Sequence, residues 1–255
     1  MSSPPRFELQ PTTRFGDRAK DYALFRPSYP KEAIDAVLDG LSRQDGLVAA
    51  DIGAGTGISF RLLGDRGVRV FAIEPNAAMR ESAEPHPHVT FAGGTAEATG
   101  LDDASVDLLL CAQAFHWFKP EEALAEFRRI LRPGGRIAFL VNERDDRDAP
   151  TRAYNAAIRA AAERELSEGM RAAIDAALSA ASLKATPVSF PYQQFLSQDG
   201  LIGRARSASY VPKEGPRSEQ LIEDLGALWE AHKDPSGLVA LGYRTWVWVA
   251  SVGTD

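Results

Sequence analysis

The sequence has one cysteine, Cys111, in 255 residues. An internal disulfide is therefore excluded, and so is any zinc site built on thiolates. Cys111 falls inside an apolar run, where a small core side chain is the expectation. Long apolar runs are also missing: nothing approaches the roughly 18 residues that a membrane helix needs. The first ten residues, MSSPPRFELQ, lack the apolar centre of a secretory signal. The expectation is a cytoplasmic protein with no membrane partner. Basic charge is short as well, with 29 Lys and Arg against 35 Asp and Glu and a net charge of −6. That balance argues against a nucleic-acid partner, which needs basic surface. Histidine is scarce. His86 and His88 share a proline-rich loop, but no third ligand stands at a fitting distance, so no metal is expected. No internal repeat is visible. What remains is ordinary globular composition, 44% hydrophobic and 25% charged. It suits one large α/β domain, or one domain with a substantial cap.

The most informative stretch runs from Leu47 to Glu74, LVAADIGAGTGISFRLLGDRGVRVFAIE. An apolar run ends in Asp51, and glycines follow at every second position, Gly53, Gly55 and Gly57. A helical segment with Leu62 and Leu63 leads to a β-branched run, Val68 to Ile73, closed by Glu74. Strand, glycine loop, helix, strand and acidic tip form the βαβ unit of a nucleoside site. Glycine at the strand end tolerates positive φ and lets backbone lie against a ligand. The helix after the turn directs unpaired N–H groups at that ligand. Glu74 stands where an acid accepts hydrogen bonds from ribose hydroxyls. A dinucleotide loop places its third glycine one position later, where this chain has Ile58. Nothing in the loop demands a pyrophosphate.

The pattern D-x-G-x-G-x-G from Asp51 to Gly57 resembles motif I of the class I S-adenosylmethionine-dependent methyltransferases. Upstream, F-x6-Y-x3-RP-x-YP from Phe15 to Pro30 is similar to the N-terminal segment of the small-molecule "type 11" branch, including proteins like trans-aconitate methyltransferase. A-x-H-W-F from Ala114 to Phe118 and LRPGG from Leu131 to Gly135 resemble the same branch. The resemblance implies a seven-stranded Rossmann-like α/β sheet with helices on both faces, a partial helical lid and an antiparallel last strand. It implies S-adenosylmethionine as cofactor. Gly53, Ala54, Gly55 and Gly57 would hold the methionine portion, Glu74 the ribose, and Thr95 and Ala96 the adenine, with Asp51, Thr56 and Pro75 also at the cofactor. Met79, Gln113 and Ala114 complete the implied cofactor contacts. Relatives usually carry Asp where this chain has Thr95, so adenine recognition leans on the Ala96 backbone. Leu101 is expected to pack on the adenine edge.

By the same resemblance Tyr22 and Arg26 reach the methionine carboxylate. The alternative is that the aromatic staples the helix to the sheet and Arg26 is solvated. His116 is either a general base beside the transferable methyl or, with Trp117, a shaped pocket wall. Asp51, Glu74, Trp117 and Tyr22 supply the acidic and aromatic neighbours a sulfonium favours. Trp117, Tyr154 and Tyr210 are the candidates for the acceptor, with Ser207, Ser209 and Arg204 or Arg206 near an anionic group.

Periodicity predicts two helices before the first strand, the first capped by Thr12 or Thr13 and ending before Pro27, the second starting at Lys31. A short helix over Ala77 to Ala83, strands Val89 to Ala92 and Val106 to Ala112, and a helix from Lys119-Pro120 follow. The glycines after Arg132-Pro133 are expected to stop that helix by a left-handed turn. Later come helices over Ala153 to Leu166 and Met170 to Leu183, strand Val188 to Leu196, and a helix over Asp199 to Ser209. Helix Ser218 to His232 and strand Leu238 to Val252 close the chain. The organisation expected is one domain: residues 11–45 closing on the cofactor, 46–142 binding it, and 143–255 forming the lid and last strands. The activity expected is methyl transfer to a small molecule, to oxygen of a carboxylate or hydroxyl. A silent S-adenosylmethionine-binding regulator and an NAD-dependent oxidoreductase are the rival readings. Oligomeric state is left open.

Overall fold

The structure, a computed structural model, describes residues 19–41, 43–44, 46–162 and 169–252. Thr12, Thr13 and Phe15 lie outside the described residues. Helix α1 (Ala19–Phe25) ends ahead of Pro27, and α2 (Lys31–Leu38) begins after Pro30 and buries Ala33, Ile34 and Val37. Strand β1 (Val48–Ile52), α3 (Ile58–Gly64), β2 (Arg69–Ile73), α4 (Ala77–Glu81) and β3 (Val89–Ala92) complete the first half-sheet. Strand β4 (Val106–Ala112) leads through a single 3-10 turn at Phe115–Trp117 to α5 (Pro120–Ile130) and β5 (Leu131–Arg144). Helices α6 (Ala149–Ala161) and α7 (Met170–Ala180) precede β6 (Val188–Leu196), and α8 (Gln198–Arg206) and α9 (Pro216–His232) precede β7 (Val239–Ser251).

The seven strands form one sheet in the order β3-β2-β1-β4-β5-β7-β6. Strands β1 to β5 run parallel, and β7 pairs antiparallel with both β5 and β6. The strand order reverses between β1 and β4. Open α/β sheets bind ligands outside the carboxyl ends of the strands at such a point.

Successive strand residues point to opposite faces, and the two cores follow that alternation. Ala50, Ile52, Leu109, Phe139 and Trp248 pack on one face against Phe127 and Ile130 of α5 and Ile174 and Leu178 of α7. Ala49, Leu108, Leu110, Ala138 and Val247 pack on the other against Ile34 and Val37 of α2 and Phe60 and Leu63 of α3. Strands buried on both faces explain why β1 and β4 read as unbroken apolar runs. Cys111 is one of these core residues, as its position suggested. A third cluster joins α6, α8 and α9 to the ends of β6 and β7, through Tyr154, Ile158, Leu201, Leu225 and Tyr243. No helix among the described residues is long and apolar enough to cross a membrane, and no metal-holding group of side chains is found among them.

Two boundaries differ markedly from those the sequence suggested. Helix α6 starts at Ala149 because Asp148 caps it, accepting from the Thr151 N–H at 2.8 Å. The expected stretch from 163 to 166 lies outside the described residues. Helix α5 is not stopped by a left-handed glycine. Leu131 already has extended geometry and pairs with Val106, and Arg132 to Gly135 form an irregularity inside β5, where the register to β4 slips. Gly134 takes φ +78° there, and a Cβ on Gly135 would stand 2.9 Å from the Arg132 carbonyl oxygen.

That irregularity is tied down by Asp107. Its buried carboxylate accepts from Arg132 at 2.9 Å, from Arg43 at 3.0 Å and from the Val48 N–H at 3.0 Å. One side chain thus links the starts of β1 and β5. Asp107→Ala strands the buried Val48 N–H, and a loss of about 2 kcal/mol is expected. Urea denaturation reads it; a loss under about 0.5 kcal/mol, the size of an ordinary surface substitution, contradicts the linkage.

Candidate active site

A cavity of about 350 Å³ opens at the carboxyl ends of β1 to β4. Gly53 and Gly55 come from the loop after β1, Glu74 and Pro75 from the tip of β2, Gly94 to Glu97 from the loop after β3, and Ala112 to Ala114 from the end of β4. Tyr22 of α1, Met79 of α4, and Trp117 and Phe118 of the 3-10 turn complete it. Its charged residues are Glu74, Glu97 and Glu122 against Lys119, an acidic bias.

The glycine loop has the backbone that its composition implied. Gly53, Gly55 and Gly57 all take positive φ, at 70°, 58° and 94°. A Cβ on Gly53 would meet the Ala114 methyl at 2.6 Å, and one on Gly57 would enter the Phe60 ring at 2.0 Å. Gly53 thus admits β4's end against the loop, and Gly57 lets α3 start over Phe60. The loop is pinned to the neighbouring strand by Glu74. One carboxylate oxygen accepts from the Gly55 N–H and the other from the Asn76 N–H, each at 2.9 Å. Each oxygen keeps a second lone pair for a ligand. Burial raises the Glu74 pKa against the pull of those two N–H groups.

Asp51, Ala54, Thr56 and Gly57 do not line the cavity: the last three belong to the loop itself, and Asp51 is buried at the end of β1. Asp51 is fully buried and accepts from the Ser59 hydroxyl, while its other oxygen has no partner. Burial pushes its pKa up to about 7. Thr95 and Ala98 exchange backbone hydrogen bonds at 3.1 and 3.3 Å, leaving Ala96 within a tight turn that faces the cavity. Leu101 packs against the core instead. His86 stands 3.2 Å from Asp65 at the far side of α3, away from the cavity.

A second cavity of about 540 Å³ adjoins the first, sharing Tyr22, Gln113 and Trp117 with it. It is lined by His116, by the end of β5 from Val141 to Arg144, by Arg26, Asn155, Arg159, Arg171, Arg204, Tyr210 and Tyr243, and by shorter contributions from α7. Five arginines face only two acids, Glu143 and Asp146, so its bias is basic. Arg26 therefore faces the second cavity rather than the first. Tyr154 lines neither: it is buried behind the wall with the Arg144 guanidinium 5.4 Å from its ring centre, and burial pushes its phenol up to about 12. Ser207 is buried too, its hydroxyl turned to the Arg204 carbonyl oxygen, and Arg206 is not in the lining.

Gln113 sits between the two cavities at φ +56°, an uncommon conformation for a residue with a side chain. Its N–H donates to the Leu140 carbonyl at 2.9 Å and its side-chain amide to the Asn142 carbonyl at 2.8 Å, which hold it there. Asn142 is held in turn by the Thr245 hydroxyl at 2.6 Å and donates to the Ser28 carbonyl at 2.9 Å. Sequence reasoning did not single out Asn142, Arg144 or Arg171. The first two end β5, the strand beside β4, and the rule that placed Gln113 at the ligand edge finds them once β5 is known to run to Arg144.

Residues 50–139 match a family model described as "Methyltransferase domain". An uncharacterized methyltransferase of Mycobacterium bovis is 43% identical over 134 residues, 52% of this chain and 54% of that protein. An uncharacterized methyltransferase-like protein of Schizosaccharomyces pombe is 37% identical over 128 residues, 49% of this chain and 50% of that one. The chain thus spans about half the length of the curated relatives it matches. A solved structure of a proposed type II methyltransferase from Anaeromyxobacter dehalogenans aligns with a TM-score of 0.65 at 24% identity, covering 91% of this chain and all of that one. That likeness shows the fold.

The buried Asp51 gives stability a pH dependence. Between the usual carboxylate range near pH 4 and about pH 7, the folded protein keeps a proton that the unfolded chain has released. Stability therefore falls as pH rises through that window, by about 1.4 kcal/mol per pH unit from this group, and is level above it. Asp51→Asn, which can keep the Ser59 bond, should flatten the slope. Urea midpoints from pH 4 to 8 test this; parallel curves for the two proteins contradict it.

Proposed function

We propose that this chain is a class I S-adenosylmethionine-dependent methyltransferase that methylates an oxygen of a small molecule. The observation that carries this is the pair of adjoining cavities with opposite charge bias, joined at Tyr22, Gln113 and Trp117. The acidic cavity suits a cationic methyl donor, and the basic one suits an electron-rich acceptor. Bound in the acidic cavity, S-adenosylmethionine would supply an electrophilic methyl for the acceptor oxygen, with the thioether as leaving group.

The first cavity fits that cofactor. Gly55 leaves space between itself and the cavity-lining Met79 and Tyr22, and Glu74 keeps lone pairs for ribose hydroxyls. Gly53, Ala54, Gly55, Thr56 and Gly57 supply the turn for the methionine portion, with Asp51 beneath it. Pro75 and Met79 flank the ribose, Thr95 and Ala96 face the adenine, and Gln113, Ala114 and Tyr22 close on the reacting end. Arg26, facing the other cavity, serves the acceptor instead.

What this chain contributes is orientation. Gln113, held by Leu140 and Asn142, sets the spacing between the two compartments, and positioning of this kind supplies much of the acceleration in a displacement. His116 and Trp117 share the 3-10 turn, their ring centres 4.8 Å apart. His116 takes the proton from a hydroxyl acceptor; a carboxylate acceptor needs no base. Trp117 and Tyr210 bound the acceptor, and Tyr154 acts only by backing Arg144. The second cavity lies in the size range of small-molecule sites, which supports a small acceptor over a macromolecule.

The test uses methyl-tritiated S-adenosylmethionine with a panel of carboxylic acids and phenols. Tritium in a small-molecule product, with S-adenosylhomocysteine formed in equal amount, is expected. Tight cofactor binding without turnover on any acceptor contradicts the enzymatic reading and favours a cofactor-binding regulator. Glu74→Ala is expected to weaken S-adenosylmethionine binding at least about tenfold, through loss of charge-assisted hydrogen bonds. Unchanged affinity sinks the ribose assignment.

A further inference from the structure

Among the described residues, Ala104, Gln113 and Ser182 take positive φ without being glycine. Ala104 sits in the exposed turn before β4, and Ser182 just past the end of α7. Only Gln113 stands at the ligand edge of the sheet, where it lines both cavities. A left-handed backbone under a side chain is held against its own preference, and such positions gather where function requires them.

What holds Gln113 is specific. Its N–H donates to the Leu140 carbonyl at 2.9 Å. The methyl of the next residue, Ala114, abuts Gly53, where an added carbon would stand only 2.6 Å from it. The Gln113 amide nitrogen donates to the Asn142 carbonyl at 2.8 Å. Only the NH2 end of an amide can face a carbonyl oxygen, so this bond fixes which way round the group sits. Asn142 is itself held, accepting from the buried Thr245 hydroxyl at 2.6 Å and donating to the Ser28 carbonyl at 2.9 Å. One amide is thus anchored to β7 and to the loop between α1 and α2. Its oxygen, Oε1, is left without a hydrogen-bond partner among the described residues.

The two cavities meet at Tyr22, Gln113 and Trp117, which is to say at two aromatic rings and one amide. A methyl on a sulfonium is electron-poor, and its polarised C–H bonds favour aromatic faces and carbonyl oxygens. We propose that Gln113 presents its amide oxygen to the reacting methyl of S-adenosylmethionine, held in that aim by the Asn142 carbonyl. A dipole fixed in advance needs no reorganisation as charge shifts, unlike a water or a mobile side chain in the same place. Glutamate has the same length, but it would set an oxygen against the Asn142 carbonyl and lose the aim. The assignment rests on the methyltransferase reading and adds to it the group that meets the methyl.

The test compares S-adenosylmethionine with S-adenosylhomocysteine, which lacks that methyl and its charge, by calorimetric titration of wild type, Gln113→Met and Gln113→Gly. Methionine keeps the length without the amide. Glycine takes φ +56° without strain and gives the second reading should the first variant fold poorly. S-adenosylmethionine should bind each variant about fivefold more weakly, the size of one or two lost C–H···O contacts, while S-adenosylhomocysteine stays within about twofold. With an isotope-labelled methyl on the bound cofactor, its protons should resonate further downfield in wild type than in either variant, a signature that a purely structural role for Gln113 does not produce. Equal weakening of both ligands, unchanged affinity for both, or one methyl resonance position across all three proteins overturns the assignment. If wild type binds neither ligand, the methyltransferase reading itself fails. If wild type binds both and the variants do not tell them apart, only the Gln113 assignment fails.

Discussion

The hydrogen bond from the Gly55 N–H to the Glu74 carboxylate ties the loop after β1 to the tip of β2. Everything at the ligand edge of the sheet depends on that tie. Gly53 can stand against Ala114 only because the loop is held where β4 ends, and β4's end in turn carries Gln113 and the turn with His116 and Trp117. The register of β1 against both β2 and β4 sets these ends level, with Asp51 opposite Ala72 on one side and Leu110 on the other. Burial of Asp51 works against stability above neutral pH, offset in part by hydrogen bonds from the Ser59 hydroxyl and the Phe60 N–H. Glu74 thus ties the loop to β2, while Asp51 fastens the end of β1 to the start of α3.

The two cavities divide the work of the chain. The first is built almost wholly from β1 to β4 and their loops, the part that matches the family model. The second is assembled from distant pieces: Arg26 from α1, Arg144 from β5, Arg171 from α7, Arg204 from α8 and Tyr243 from β7. Asn142 couples them, since its carbonyl holds Gln113 while its side chain reaches Thr245 and Ser28. The first cavity has an acidic bias and the second a basic one, and they meet at Tyr22, Gln113 and Trp117.

Much of the fold was legible because it rests on local signals. The glycine spacing, the apolar runs and the punctuating prolines place β1 to β4 and α2 to α5 closely, and Val89–Ala92, Val106–Ala112 and Val188–Leu196 have the bounds that their patterns suggested. The end of α5 was misread because a PGG segment can close a helix or make an irregular strand. The choice was made by Asp107, which is distant in sequence. Apart from Tyr22, the first cavity's residues lie between Gly53 and Glu122 at the ends of consecutive elements, so their grouping could be read. The second cavity could not be read in that way. Tyr154 looked like a pocket residue on its helix face, but the packing of α6 against α9 buries it, and Arg26 looked like a cofactor ligand until α1 was seen on α8. Strand order, which brings β7 between β5 and β6, leaves no mark on local sequence.

The central claim is that the first cavity is a site for S-adenosylmethionine, and a calorimetric titration of the purified protein tests it most directly, with NAD in a parallel cell. The account predicts saturable micromolar binding of S-adenosylmethionine and no heat from NAD. Heat from NAD and none from S-adenosylmethionine would contradict it, because the G-x-G-x-G loop would then be holding a pyrophosphate that its spacing does not fit.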